Sequence, residues 1–598
     1  MTPAPLRLFD PAPGPRVFAV PPGADFAAAF ADGLATRLAP HGPIAALSVE
    51  VVVHNRRALQ AIESALADRA GGATVLPRLT LVEEVTAPER AGITALDPLT
   101  RHLALLRLVE AYLDAAPGRA PRAAAPDLAA SLAELLDLMD EEGVTPDALD
   151  RAVAPEMASH WQEALDFLSI ARDAWPDARA EIAPGAQDPQ AARRRAAERL
   201  LATWSAAPPM APIIVAGSTG SRAVTARLMA AVARLPQGAL VLPGLDTAAD
   251  PAIAAAAGDD HPLGPFRRLF ASLDLDPRDL RTWTSLDRDH PGWARAHLLA
   301  EALRPAPVTD AWVASRATIG AEAPVATQGL ALLEAPTQRI EAAAIALAVR
   351  EALETPGRTV AVVTRDATLA RRVGAALERH GVLPDDSLGQ PLALTPAAIL
   401  AAHCLAVARG GAAADPVAIA SLLGHPLVCL GRSRAAHRRL ARAYERAVLR
   451  RRGVAARSGP LPGWPDHKAP TDAEDAWLSD ARAALTPLTK ALAAPVPLLA
   501  LVQAHRDALG ALMAGEDATP SSPDLDALDR VFERLALAAP AHGGQVQAAE
   551  YTALLDGLLR AETLRAEGAR PHPRVFLWGT IEARAGTADL TILAGLNE

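Results

Sequence analysis

The chain has 598 residues, a net charge of −10 and 50% hydrophobic residues, and its length is enough for about three to five domains. The acidic balance excludes a uniformly basic nucleic-acid coat but permits a local basic patch, while two cysteines exclude a disulfide framework and a four-cysteine metal cluster. No apolar run approaches the roughly 18 residues of a membrane span and no signal pattern begins the chain, so we expect a cytoplasmic protein without membrane contact.

The first part of the chain alternates strand and helix patterns. Val17–Val20 is a short apolar run that ends in a proline-proline-glycine turn, and Asp25 has the side chain to cap the amphipathic helix that follows. Further strand patterns lie at Leu47–Asn55 and Ala73–Val82. Such alternation predicts a parallel, doubly wound sheet.

The turn at Gly23 has a strand before it and a helix N-terminus after it, which is the geometry that holds nucleotide phosphates. A working phosphate loop also needs a lysine on the phosphates and a hydroxyl on Mg²⁺. The chain has only two lysines, Lys468 and Lys490, and neither follows a glycine loop. Asp25 would place negative charge where phosphate binds. We therefore predict a degenerate loop with a structural role.

From about residue 97 to 204 the pattern is helical, and the strand patterns Pro212–Gly220 and Ala239–Gly244 then resume the sheet. The first of these strands ends at Ser218 without the carboxylate that would hold Mg²⁺. The glycine-rich stretch Gly217–Arg222 has neither the lysine nor the spacing of a phosphate loop, so it is predicted to be a strand-to-helix turn. Both halves of a nucleotide site are thus missing.

The second half repeats this plan. Leu330–Pro336 and Arg358–Asp366 are strand patterns, a mostly helical stretch runs from about 396 to 570, and strand patterns return at Pro573–Arg584 and Ala588–Glu598. Two parallel lobes, each split by a helical insertion, is the layout of superfamily-1 helicases. The sequence therefore predicts an α/β fold of two RecA-like lobes with mostly helical insertions.

Several long stretches also resemble the AddB family in its alphaproteobacterial form, among them VFAVPPGADF, HWQEALDFLSIA and RVFLWGTIEARAGTADLTILAGLNE. The resemblance runs along essentially the whole chain. It implies a subunit of the AddAB helicase–nuclease, which processes double-strand breaks for recombination. In that family the AddA partner carries the active motor with its ATP and Mg²⁺, whereas AddB helps to hold DNA and to recognise the Chi hotspot.

The resemblance also implies that the nuclease domain, with its metal, lies beyond Glu598, so we expect a chain truncated before it. Asp466-His467-Lys468 matches a fragment of a nuclease motif but lies in a proline-rich loop without a strand, and we interpret it as accidental. We predict no catalytic residue, no metal ligand and no cofactor in this chain.

Arg365 resembles the arginine of helicase motif IV, which reaches nucleotide phosphates across the cleft between the lobes. A surface arginine at a strand end is an equally good interpretation. With no lysine opposite, Arg365 would be a relic in either case. The vestigial nucleotide site therefore comprises Gly23, Asp25 and Arg365.

One segment is strongly basic. Residues Gly431–Gly453 carry nine arginines and one glutamate, and four of the arginines recur every four residues, as a stripe on a helix. A solvated helix face usually mixes charge signs, so a stripe of one sign favours binding to DNA phosphates or to an acidic partner surface. The candidate DNA-binding residues are Arg438, Arg442, Arg446 and Arg450.

The sequence thus predicts a catalytically degenerate, helicase-like subunit that guides DNA and supports Chi recognition in a heterodimer with AddA. An active ATP-dependent helicase and a protein-interaction scaffold without DNA contact are the alternatives. The predicted domains are residues 1–96 with 205–325 (lobe 1), 97–204 (its insertion), 326–395 with 571–598 (lobe 2, incomplete) and 396–570 (its insertion).

Overall fold

The computed structural model describes residues 6–597, except 116–117, 119, 146–147, 149–165, 246–249, 285–291, 451–459, 466–468, 517–520, 565–570 and 585. The predicted nuclease-like fragment at residues 466–468 lies outside the described residues. The chain divides into two compact units. Unit 1 comprises Met1–Ile93, Gln190–Leu388 and Arg570–Glu598, and unit 2 comprises Thr94–Pro189 and Gly389–Ala569.

The described strands form two larger sheets in unit 1 and two short strand pairs in unit 2. In chain order the strands are β1 Val17–Ala19, β2 Glu50–Val53, β3 Arg78–Leu81, β4 Ile213–Ala216, β5 Gly238–Leu242, β6 Arg281–Thr282, β7 Val360–Val363, β8 Asp385–Asp386, β9 Gln390–Pro391, β10 Val496–Pro497, β11 Gln545–Val546, β12 Thr563–Leu564, β13 Val575–Trp578 and β14 Leu590–Leu593.

The α-helices occupy most of the remaining described chain. They are α1 Phe26–Leu38, α2 Arg56–Arg69, α3 Val82–Val85, α4 Pro98–Ala115, α5 Ala125–Glu142, α6 Trp175–Ile182, α7 Pro189–Ala206, α8 Ala223–Arg234, α9 Pro251–Ala256, α10 Gly264–Leu273, α11 Gly292–Ala302, α12 Trp312–Ala326, α13 Gln338–Leu353, α14 Ala367–Glu378, α15 Pro396–Gly410, α16 Pro416–Leu423, α17 Arg434–Tyr444, α18 Asp472–Ala491, α19 Leu498–Met513, α20 Pro523–Ala538 and α21 Ala548–Ala561.

The first sheet of unit 1 has six parallel strands in the order β3-β2-β4-β5-β1-β6. Helices α1 and α2 pack on one face through side chains such as Phe30 and Ile62. Helices α8 and α10 cover the other face through side chains such as Leu228 and Phe270. Burial on both faces explains why β1, β4 and β5 are continuous apolar runs. The prediction of a parallel, doubly wound sheet is confirmed.

The second sheet has four parallel strands in the order β14-β7-β13-β8. Helices α13 and α14 both pack on the same face, against β7 and β13. The opposite face carries Ala361, Val363 and Trp578, with Phe576 packed beside them. The second parallel sheet is confirmed, and its two faces differ in how they are covered.

The predicted strand at Leu330–Pro336 is wrong. These residues belong to no strand and are extended chain before α13. Leu330, Leu332 and Leu333 are exposed by 62 to 86%. The short apolar run is present, but a strand also requires a backbone partner, and this segment pairs with none of the described strands.

Unit 2 joins helices from two distant parts of the chain in one hydrophobic core. Side chains of α4 to α6 pack with those of α15 to α21, and Trp477, Tyr444 and Tyr551 are among the largest fully buried groups. Residues 190–204, predicted to lie in the first insertion, fall in unit 1, because α7 packs Trp204 against the six-stranded sheet. The structure therefore groups the four predicted ranges as two units.

By length and composition, one helix among the described residues is apolar enough to cross a membrane, over Pro396–Ala413. It contains α15, whose Leu400, Cys404 and Leu405 are buried in the core of unit 2. We therefore assign α15 as a core helix.

Candidate nucleic-acid interface

The turn after β1 is held by its own side chains. Gly23 has a φ of 82°, and a Cβ at this position would lie 3.6 Å from the Cα of Gly292. The Oδ1 atom of Asp25 accepts a hydrogen bond from the Ala28 N–H at 3.0 Å and caps α1. A carboxylate and backbone thus surround the helix N-terminus at which a nucleotide site would hold phosphate.

The turn after β4 is also satisfied internally. Gly217 and Gly220 have φ values of 75° and 69°, and the Oγ of Ser218 accepts a hydrogen bond from the Gly220 N–H at 3.3 Å. Strand β5 separates β1 from β4, so the two turns are about 10 Å apart at the sheet edge. Neither turn offers the lysine or the strand-end carboxylate that ATP and Mg²⁺ need.

Arg365 is exposed at the carboxyl end of β7. The next residue, Asp366, caps α14 by accepting hydrogen bonds from the N–H groups of Thr368 and Leu369 at 2.7 and 3.1 Å. The bond from Leu369 is the main reason why the pKa of Asp366 is lowered. This end of the strand is therefore a regular strand-to-helix junction with an arginine on its surface.

A cavity of about 680 Å³ lies in unit 1 between α1 and α2 on one side and the second sheet on the other. Asp25 lines it, whereas Gly23 and Arg365 do not. Its carboxylates are those of Asp25, Asp32, Asp68, Asp385 and Glu582, and its arginines are Arg57 and Arg69.

Both arginines of the cavity are paired, Arg57 with Asp385 and Arg69 with Asp32. Five carboxylates and two arginines leave a formal charge of −3 on the lining. Such a lining repels polyphosphates. The residues present therefore do not fit ATP with Mg²⁺ in this cavity.

The remaining nucleophiles and metal-ligating side chains form no reactive cluster. Cys404 and Cys429 are both buried, and burial raises the pKa of the Cys404 thiol to about 12. Within the described part of the chain, no three His, Cys, Asp or Glu side chains lie close enough together to hold a metal ion.

The predicted arginine stripe lies on α17 and the turn that follows it. Arg438, Arg442, Arg446 and Arg450 are all exposed. Among the described residues, no carboxylate pairs with the first three, and we call these three the arginine ridge. Neighbouring Arg439 is also exposed, although the four-residue spacing leaves it out.

A π-helical turn, Glu445–Leu449, follows α17, and the Arg450 N–H closes it by donating to the Glu445 carbonyl at 3.0 Å. On a continuous α-helix a four-residue spacing drifts by about 40° per step, or about 120° from Arg438 to Arg450. A π-turn holds about one residue more than an α-turn. Arg450 therefore lies only about 20° from Arg438 around the helix. The turn keeps the four arginines on one side.

The opposite side of α17 anchors it in unit 2. Trp477 donates its indole N–H to Nδ1 of His437 at 3.2 Å, so His437 carries its proton on Nε2 and donates it to the Leu423 carbonyl at 2.8 Å. Tyr444 donates its hydroxyl to the Pro462 carbonyl at 2.8 Å. Burial lowers the pKa of His437, which keeps the ring neutral beneath the arginines. The exposed side of α17 thus carries the arginines, whereas His437 and Tyr444 on its buried side are uncharged.

Sequence reasoning missed the role of Glu445, the one acidic residue among the nine arginines. Its Oε1 accepts hydrogen bonds from Nε and Nη2 of Arg450 at 2.9 and 2.7 Å. The composition of the segment showed this glutamate, but a linear sequence does not show which arginine a π-turn brings to it. Arg450 is therefore paired in the structure, unlike the arginine ridge.

The geometry defines an α/β protein with two parallel sheets, no complete nucleotide site among the described residues and an exposed row of arginines. A scan against models of known protein families gives no match for the chain. A search of curated proteins also finds no match.

Proposed function

We propose that this chain is a helicase-like, catalytically degenerate subunit of the AddB type, which guides DNA during double-strand break repair and recombination. The biological role in this proposal rests on the resemblance of the sequence to that family. Two parallel sheets in one unit are compatible with two RecA-like lobes. The turns after β1 and β4, together with the acidic cavity, support a chain that leaves ATP hydrolysis to an AddA-type partner in the cytoplasm.

The arginine ridge is the observation that carries the DNA-binding part of the proposal. Arg438, Arg442 and Arg446 are exposed, aligned and without a carboxylate partner among the described residues. In a chain of net charge −10, such a row is a local patch of positive charge. Arginine is well suited to phosphate because its guanidinium presents several donors in one plane. Contacts of this kind position a nucleic acid without reading its sequence.

The length of the row also suits a nucleic-acid strand. From Arg438 to Arg450 the helix rises by about 16 Å. One strand of B-DNA rises by about 3.4 Å per phosphate, so the row extends over about five nucleotides. The three side chains of the ridge are far enough apart along it for separate phosphate contacts.

The test is the salt dependence of DNA binding by the chain in complex with its AddA-type partner. Each lost phosphate contact makes the slope of log affinity against log salt shallower by about 0.9 on duplex and about 0.7 on single-stranded DNA. Replacing Arg438, Arg442 and Arg446 together by Gln should therefore reduce the slope by about 2 to 2.7. Arg530→Gln, an exposed arginine on α20 in the same unit, is the matched control and should leave the slope unchanged.

An unchanged slope in the triple variant, with the complex intact, would overturn the DNA-binding proposal. Loss of partner binding in the triple variant alone would instead assign the ridge to a subunit interface. ATP hydrolysis by the chain without its partner would contradict the catalytically degenerate role and favour an active helicase.

A further inference from the structure

Glu445 and Arg450 are linked twice across the π-turn. Their side chains form an ion pair, and the Arg450 N–H donates to the Glu445 carbonyl. Both guanidinium donors reach the same carboxylate oxygen, Oε1. The side chain of Arg450 is 70% exposed and that of Glu445 is 34% exposed, so the pair lies in contact with solvent.

The ion pair occupies the guanidinium of Arg450 at the end of the row that the ridge begins. Because the π-turn brings Arg450 to about 20° from Arg438, a strand lying along the ridge would reach Arg450 next. A phosphate at that position would meet a guanidinium already bound to a carboxylate. An exposed ion pair of this kind is weak, so a phosphate can displace the carboxylate from the guanidinium.

We propose that Glu445 competes with DNA phosphates for Arg450. In the free protein Arg450 is paired with Glu445, and when DNA binds a phosphate replaces Glu445 as its partner. The inference rests on the proposed function, because it requires that the ridge binds DNA. It assigns to Glu445 the tuning of affinity and to Arg450 a fourth phosphate contact. The exchange replaces one ion pair by another and requires no covalent step.

Competition for Arg450 can be distinguished from general repulsion of DNA by the Glu445 charge. Only competition requires that Arg450 is present. Glu445→Gln removes the competitor and keeps a side chain of the same length. We expect it to tighten DNA binding by about two- to fivefold at fixed salt, the range that an exposed ion pair corresponds to. In an Arg450→Gln background the same change should have much less effect.

The experiment is a double-mutant cycle on DNA binding by the complex, comparing wild type, Glu445→Gln, Arg450→Gln and the double variant over a range of salt. Arg450→Gln should make the slope shallower by about 0.9 on duplex, with or without Glu445. Arg530→Gln again serves as the control for loss of one exposed arginine. Circular dichroism and amide exchange at Arg450 check that the π-turn persists, because its backbone bond does not use the Glu445 side chain.

An equal gain from Glu445→Gln in both backgrounds would overturn the inference, since it would show general repulsion. An unchanged slope in Arg450→Gln would overturn it as well, because Arg450 would then make no phosphate contact. If the ridge triple variant loses slope while Glu445→Gln has no effect, only this inference fails. If the triple variant keeps its slope, the proposed function itself fails.

Discussion

Arg57 and Asp385 form a bidentate ion pair within unit 1. The two terminal nitrogens of Arg57 donate to different carboxylate oxygens of Asp385, each at 3.0 Å. Arg57 lies in the first turn of α2, on the six-stranded sheet, and Asp385 lies in β8 of the second sheet. The pair therefore connects the two sheets beside the acidic cavity. Its side chains are 29% and 40% exposed.

We expect the coupling energy of Arg57 and Asp385 to be about 1 kcal/mol, at the upper end for partly exposed pairs, because the geometry is bidentate. A double-mutant cycle with Arg57→Ala and Asp385→Ala, read from the free energy of unfolding, measures it. Arg350–Glu354 at the C-terminal end of α13 is the control, a more exposed pair with an expected coupling of about 0.3–0.5 kcal/mol. Equal couplings would contradict the special role of the bidentate pair.

Gly33 is required by close packing on α1. A Cβ there would lie 2.2 Å from Nε1 of Trp283, whose N–H donates to the Phe30 carbonyl at 3.0 Å. Gly33→Ala should therefore destabilise the protein by about 1–3 kcal/mol through overpacking, measured by thermal unfolding. Gly374→Ala on α14 is the matched control: nothing lies within 4 Å of its Cβ position, so alanine should be neutral or stabilising there. A similar loss in both variants would argue against the Trp283 contact as the cause.

The isolated chain should not bind ATP with Mg²⁺ at micromolar concentration. The lysine is missing, the Asp25 carboxylate caps α1, and the cavity lining carries a formal charge of −3. Isothermal titration calorimetry with ATP and Mg²⁺ is the measurement. Gly23→Val serves as the comparison, because a φ of 82° strains any β-branched residue and would disturb a working phosphate loop. Micromolar binding that this variant weakens would show that the turn after β1 is functional.

His505 should make unit 2 sensitive to acid. It is fully buried, its Nε2 donates to the Ala401 carbonyl at 3.1 Å, and Nδ1 accepts from the Tyr551 hydroxyl at 3.1 Å. Burial lowers its pKa from 6.5 to about 4. Between these two pKa values the unfolded state therefore binds more protons than the folded state. The contribution of neutral His505 to the free energy of unfolding is complete above pH 6.5 and is lost as the pH falls towards 4.

The loss due to His505 alone should reach about 3 kcal/mol at most. Hydrogen exchange of α19 amides, followed from pH 7 to pH 4, measures the local opening free energy. His505→Gln, which has no group that titrates in this range, should flatten the dependence by about one proton. The same pH dependence in both proteins would assign the acid sensitivity to other groups.

Much of unit 1 could be predicted because its strands are local apolar runs. Ile213–Ala216 and Val360–Val363 are buried on both faces, so each is visible as an uninterrupted apolar stretch. Leu330–Pro336 has a similar pattern but lacks a partner strand, and pairing is a property of the fold rather than of the segment. The assembly of unit 2 was not predictable for the same reason, since it depends on contacts such as Arg122 with Glu550, 428 positions apart.

The candidate interface was predictable in part. The exposed arginines of α17 and the following turn were predictable from a spacing that a helix places on one side, and from the presence of only one glutamate among nine arginines. The π-turn was not predictable, because such turns are rare and the spacing of the arginines is the same for a continuous α-helix. The pairing of Glu445 with Arg450 depends on that turn and was therefore missed as well.

The hydrogen bonds on the buried side of α17 have a thermodynamic consequence. Buried hydrogen bonds of His437 and Tyr444 fix the position of α17 in the absence of a ligand. The ridge is therefore preorganised, so that a ligand bound to it would order only arginine side chains rather than a whole segment. Such an interface should show little change in heat capacity on binding, in contrast to basic segments that fold on DNA and bury new apolar surface as they do so.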